Sequence, residues 1–465
     1  MNYPKRRAKL HESLGNDNRP ILFLGHHLQP RNYPANPYTP FRQNSHFLYY
    51  FGITSPDFVA ISWPNGEADI FGHPVDMDTI VWEGAQTTLE EHTEQSGATR
   101  AHSRSELKAF LQAKTLGHLD DILYIKPYHA DLVLELMDWF AATSAEVTAK
   151  ASRPLAIAIC EQRAKKTPEE IAEIETALAL TREIFHACYH MADASLRETD
   201  LAGHVMARIT AEKSDLAFPP IITTHGEILH YHPTLAPLEA GKLLLMDMGV
   251  CSPKGYASDI TRTFPVDGKY TQKQGDIYDI VLASQKKAIA LSVPGRTYKE
   301  VHLAACRVIV EGLKSVGLMK GDVDEAVQAG AHALFFPHGL GHMLGLDVHD
   351  MEDLGDIVGY GVDENGDILP RSKQFGLNFL RFARELEPGF VMTVEPGIYF
   401  IPALIGAWQK EQKHQDFICY DTVQSYLNFG GIRIEDDIFI TEEGNDVLGE
   451  TILKEAGDIE NIMQK

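Results

Sequence analysis

Short apolar runs punctuate the first third of the chain and set its expected architecture. Segments 21–25 (ILFLG), 57–63 (DFVAISW), 79–82 (TIVW), 121–126 (DILYIK) and 155–160 (LAIAIC) each have the length and composition of a strand. Segment 105–114 (SELKAFLQAK) carries helical spacing between them. Strands alternating with helices predict an α/β layer domain.

The pattern changes near residue 165. A basic cluster is followed by Thr167, Pro168 and Glu170, the arrangement of an N-cap, a first helical proline and a capping-box glutamate. Ile171, Ile174 and Leu178 then recur at helical spacing. A long helix opening after a charged link predicts a domain boundary, with residues 1–165 in the first domain and 166–465 in the second. Within the second, 195–209 (SLRETDLAGHVMARI) echoes 294–309 (PGRTYKEVHLAACRVI). One such pair fits either a duplicated architecture or two helix starts alike by chance. Residues 351–376 are rich in Gly and Asp and read as a long loop of the kind that often carries function.

Composition narrows the function classes. Of 465 residues, 44% are hydrophobic and 23% charged, which excludes a largely disordered chain. The net charge of −23 repels phosphate backbones, so no nucleic-acid partner is expected, and it serves solubility. Five widely spaced cysteines, an odd number without a C-x-x-C, suit a reduced cytoplasmic protein. The basic start lacks an apolar stretch behind it and is a poor signal peptide. No apolar run is long enough to span a membrane.

Four segments of the second domain could do chemistry. In 242–264 (KLLLMDMGVCSPKGYASDITRTF) an apolar strand ends at Asp247, a Gly/Pro turn follows, and a second strand carries Asp259 on the face of Thr261 and Thr263. An Asp after LLLM is costly to bury unpaired. In 335–350 (FFPHGLGHMLGLDVHD) His338 and His342 are four apart, and Asp347 and His349 alternate as on a strand. Two glycines and no Glu set HGLGH apart from the helical H-E-x-x-H zinc motif. In 390–400 (FVMTVEPGIYF) and 430–440 (GGIRIEDDIFI), Glu395 and Glu435 interrupt β-rich apolar runs against propensity. Two Asp, His and two Glu on strands or strand ends suit a pair of divalent cations such as Mn²⁺, Co²⁺ or Zn²⁺, which can make a nucleophilic hydroxide at neutral pH.

In order, DMGVCSPKGYASDITRTF, HGLGHMLGLDVHD, TVEPGIYF and GGIRIEDD resemble the metal-site segments of the Xaa-Pro peptidases, aminopeptidase P and prolidase. Segment 41–61 (FRQNSHFLYYFGITSPDFVAI) is similar to that family's N-terminal domain. The resemblance implies an α/β N-terminal domain followed by an α+β pita-bread catalytic domain. It implies two divalent ions per chain, Mn²⁺ first, held by Asp247, Asp259, His342, Glu395 and Glu435, with Glu395 also handling a proton. It implies that His230, His338 and His349 serve catalysis around the substrate, that Arg433 orients Glu435 or its neighbours, and that Arg381 lies near the substrate's far end. The implied activity is an Xaa-Pro aminopeptidase acting on peptides with proline second, in the cytoplasm, as a homodimer or homotetramer. A dipeptidase is the alternative, favoured by the long segment 401–430; a non-peptidase hydrolase using the same metals is a further one, whereas an inactive binding protein or a metal-free hydrolase of this fold would be expected to lack ligands. Segment 224–231 (THGEILHY) departs from the family's commoner turn before His230.

Overall fold

Short, continuously buried runs make the core strands of the first sheet. Ile21–Leu24 pairs antiparallel with Val59–Ser62, which pairs antiparallel with Ala68–Gly72; Arg100–Ser103 adds in parallel. The computed structural model describes residues 1–464 and contains two compact units, Met1–Arg163 and a second beginning at Ala164. In the first, Leu22, Leu24, Val59, Ile61 and Phe71 from the sheet pack with Leu107 and Leu111 and with Leu132, Leu136 and Phe140 of helix Ala130–Phe140. Those last three are four apart, so one helix stripe covers the sheet.

Three expected strands are corrected. TIVW lies in helix Met77–Glu83: Asp76 caps it, its carboxylate accepting from Thr79 N at 2.8 Å, and Val81 and Trp82 stay exposed. LAIAIC lies in helix Arg153–Ala164, where Leu155, Ile159 and Cys160 are buried at helical spacing. Its alternation of alanine with larger residues imitates a strand, but alanine also has the highest helix propensity. DILYIK shrinks to a single parallel bridge, Ile21 to Leu123. Ala68–Gly72 and Arg100–Ser103 were not expected; buried Asp69 breaks the apolar pattern, and accepts from Trp63, Arg100 and His102.

The second unit repeats one plan. Helix Pro168–Met191 turns tightly into Glu198–Ala211, and Gln272–Leu291 turns likewise into Tyr298–Ser315. At the first of these starts Glu170 Oε2 accepts from Thr167 N at 3.0 Å. The sequence echo falls on the second helix of each pair. One antiparallel sheet orders Ile221–Thr223, Leu243–Met248 and Ile260–Pro265; another orders Val391–Val394, Asp436–Ile440 and Asn445–Val447. A short ladder, Gly397–Tyr399 on Gly431–Arg433, lies between the ends of these strands in sequence. The chain therefore changes ladders at Glu395–Pro396 and again at Ile434–Glu435.

Segment 335–350 is not a strand. It runs beside Val391–Val394 and then folds back, with Asp350 N donating to Met343 O at 2.9 Å. Asp350 is buried against Lys166 Nζ at 2.8 Å. Gly345 permits the fold-back, since a Cβ there would lie 2.3 Å from the Asp350 carboxylate. The expected loop 351–376 holds two short helical turns, Glu352–Leu354 and Ile357–Tyr360, and a turn closed on Asp363.

Candidate metal centre

Strand register brings the acids together. Asp247 stands opposite Thr261, so Asp259 emerges just before strand Ile260–Pro265 begins. Glu435 N donates to Thr261 O at 3.1 Å, and Thr261 Oγ1 donates to Glu435 Oε2 at 2.6 Å. His342 is fixed on the edge of Val391–Val394: Thr393 N donates to His342 O, His342 N donates to Thr393 Oγ1, and Glu395 N donates to Leu340 O. Gly341 makes this approach possible, because a Cβ there would sit 2.1 Å from Thr393 O. Gly341→Ala is expected to cost about 1–3 kcal/mol by overpacking and to displace His342. Chemical denaturation and metal titration check this; unchanged metal affinity would show that the glycine does not set the imidazole.

One cavity of about 740 Å³ is lined by all ten residues named from the sequence: Asp247, Asp259, His342, Glu395 and Glu435, His230, His338 and His349, and Arg381 and Arg433. A ligand atom each of Asp259, His342 and Glu435 lie within 4.8 Å of one another. His342 Nε2 is 3.4 Å from Asp259 Oδ2 and 3.8 Å from Glu395 Oε1. Its Nδ1 lies 3.1 Å from Met343 O. A proton on Nδ1 donated to that carbonyl leaves the Nε2 lone pair facing the acids, the tautomer a metal requires.

The electrostatics fit cations. Burial, then Asp247, raises the Asp259 carboxyl well above its ordinary value; burial, then Asp259 and Glu395, does the same to Glu435. Burial lifts Glu395 to about 7, against the pull of His342 and Arg433. Asp247 Oδ1 and Asp259 Oδ1 are buried without a hydrogen-bond partner among the described residues. Four carboxylates carry four negative charges when ionised, which two dications would balance. The oxygen-rich set with one imidazole therefore fits divalent ions.

Arg433 organises the cavity floor. It pairs with Asp247, donates from Nε to Thr261 Oγ1 at 3.1 Å and from Nη1 to the Tyr399 hydroxyl at 2.9 Å. Burial opposes its charge, but Tyr399 and Asp247 hold it protonated. Tyr399 in turn lies 2.8 Å from His338 Nε2, and His338 Nδ1 lies 2.8 Å from Gly339 O. Burial and Arg433 lower His338 to about 3; burial and His342 lower His349 to about 2. Both are neutral imidazoles at physiological pH. Arg381 pairs with Glu352 at 2.6 Å, while His230 is exposed at the rim. Sequence reasoning gave no role to Thr261, Tyr399 or Glu352, and missed the apolar wall of Phe218, Phe375, Phe379, Ile401 and Leu404. Thr261 and Tyr399 stood within quoted motifs at alternating positions facing the acids, a usable signal. Phe375 and Phe379 flank the end of the long loop and had none.

Residues 172–442 match the model of metallopeptidase family M24, and residues 3–123 match that of the aminopeptidase P N-terminal domain. The chain belongs to metallopeptidase family M24. This M24 chain is 33% identical to the Xaa-Pro aminopeptidase of Escherichia coli (strain K12), over 99% of its own length and 97% of the relative's. A probable Xaa-Pro aminopeptidase of Fusarium vanettenii is 32% identical, over 91% and 88%. The fold is similar to that of aminopeptidase PepP from Pseudomonas aeruginosa, at TM-score 0.80 and 28% identity over 99% of this chain and 97% of that one. It is equally similar to an E. coli aminopeptidase P variant solved with substrate, at TM-score 0.80 and 30% identity over the same shares. The expected pita-bread domain, the N-terminal domain type and the aminopeptidase P resemblance are thus borne out.

Proposed function

We propose that this metallopeptidase is an Xaa-Pro aminopeptidase that releases the N-terminal residue from peptides with proline second. The observation that carries the reading is the convergence of Asp247, Asp259, His342, Glu395 and Glu435, with orphaned carboxylate oxygens, on one cavity. Those five side chains would hold two divalent ions, Mn²⁺ by preference. Bound there, the ions would supply Lewis acidity and an activated water at neutral pH.

The protein's own groups do the rest. Glu395 accepts the proton lost by the attacking water. Arg433 holds Asp247 and, through Thr261, the orientation of Glu435. His349, its ring 4.2 Å from that of His342, and His230 at the rim are placed to hydrogen-bond the peptide, while His338, committed to Tyr399 and Gly339, acts by fixing the wall. Phe218, Phe375, Phe379, Ile401 and Leu404 offer apolar surface for the pyrrolidine ring and exclude water. Ile401 and Leu404 start the long segment 401–430, so that segment lines an aminopeptidase pocket in this reading. The enzyme works in the cytoplasm as a homodimer or homotetramer; light scattering at micromolar concentration should give a multiple of 51.8 kDa.

The deciding assay compares kcat/KM on Ala-Pro, Ala-Pro-Ala and Ala-Ala-Ala with Mn²⁺-loaded protein, alongside metal analysis. The expected result is two metals per chain, strong cleavage of Ala-Pro-Ala, weaker cleavage of Ala-Pro and none of Ala-Ala-Ala. Preference for Ala-Pro would make the chain a dipeptidase. Absence of cleavage by fully loaded protein would defeat the peptidase reading.

A further inference from the structure

Behind the cavity wall lies a second cluster of ligand-type side chains, of different chemistry. His302 and Cys306 are one turn apart on helix Tyr298–Ser315, and both are fully buried. His332, on the turn Ala331–Leu334, is 2% exposed. One ligand atom from each lies within 4.8 Å of the other two. Among the described residues, His332 has a hydrogen-bond partner at neither ring nitrogen, and His302 has none at Nδ1. Neutral imidazole carries one donor and one acceptor, and burying both unpaired is costly.

We propose that His302, Cys306 and His332 form a Zn²⁺ site, separate from the carboxylate centre. The geometry suits the ion. Zn–S near 2.3 Å and Zn–N near 2.0–2.1 Å at a tetrahedral angle put sulfur and nitrogen about 3.5 Å apart. Cys306 Sγ lies 3.5 Å from His302 Nε2. A neutral imidazole keeps one nitrogen lone pair, so His302 and His332 can each supply one ligand atom. Binding breaks the Cys306 S–H bond and forms an S–Zn bond, the proton leaving to solvent. Three protein ligands leave the fourth position to water. The donor set separates the two sites: thiolate and imidazole select Zn²⁺, whereas the oxygen-rich cavity accepts Mn²⁺. The ion would tie helix Tyr298–Ser315 to the turn that leads into the HGLGH segment. Phe336 stands between, its ring 5.4 Å from His302 and 4.8 Å from His338.

Because the site is buried, metal must enter during folding. Full-length protein is therefore produced with Co²⁺ as the added transition metal and examined by metal analysis and absorption. The expected result is three cobalt per chain and a near-ultraviolet sulfur-to-cobalt charge-transfer band, which the carboxylate centre cannot produce because it contains no sulfur. Cys306→Ser should remove the band and one equivalent while peptidase activity stays within about twofold. His332→Gln should weaken the band and lower retention of that equivalent under chelator. A wild-type protein with two equivalents and no band overturns the proposal, leaving a His–Cys contact within the core. A band that survives Cys306→Ser overturns it as well. Wild-type stoichiometry and spectrum decide the matter even if a variant fails to fold, and neither depends on peptidase activity.

Discussion

Glu395→Gln should lower kcat on an Xaa-Pro tripeptide by about 10²–10⁴-fold, the usual worth of a positioned general base. Glutamine keeps the size and one carbonyl oxygen but cannot take a proton at neutral pH. The fold should survive, because residue 395 follows strand Val391–Val394 and its backbone N–H still donates to Leu340 O. The substitution also removes one acid from a buried group of four, so the metal-free variant should resist unfolding better than the parent. Kinetics, metal content and denaturation are measured together. A fully metallated variant that keeps more than about a tenth of its activity would take the base role away from Glu395.

The acids were legible because each breaks a rule that apolar strands otherwise keep. Asp247 follows LLLM, Glu395 follows FVMTV, and Glu435 follows GIRI; none belongs there unless something stabilises its charge. The structure adds why these positions serve. Glu395 and Glu435 stand where the chain leaves one ladder for another, so their side chains turn into the cavity while the backbone on either side stays paired. His342 was legible as a histidine between glycines, but not the reason for Gly341, which is the close approach to Thr393 O.

What escaped had a common cause. TIVW and LAIAIC are short, and periodicity over four to six residues cannot separate a strand from a helix when the decisive contacts are elsewhere. The alternation of Asp347 and His349 misled for the same reason: the fold-back is dictated by the buried Lys166–Asp350 pair, whose partners are far apart in sequence. Phe375 and Phe379 come from the end of the long loop, and Ile401 and Leu404 from the start of helix Pro402–Lys410; nothing local marks their side chains as sharing one wall.

Removing the metals should make stability fall as pH rises, the reverse of the loaded protein. In the metal-free chain Glu395 titrates near 7 rather than at its ordinary 4.5, because burial penalises its charge. The native state then holds a proton that the unfolded state has lost, and stability drops with pH wherever the native state binds more protons. The contribution is fully present below about 4.5 and is lost as pH climbs through about 7. A shift of that size is worth about 3 kcal/mol, and the raised Asp259 and Glu435 carboxyls act in the same direction. Divalent ions reverse the sign, since protons compete with them for the same oxygens and binding stabilises only the native state. Urea denaturation from pH 5 to 8, with chelator and with Mn²⁺, should give diverging curves. Groups remote from the cavity titrate alike in both series and cancel in the difference. Glu395→Gln should flatten the chelator curve without inverting it, because Asp259 and Glu435 remain. Parallel curves for the two conditions would mean that the buried acids are not where the metals bind.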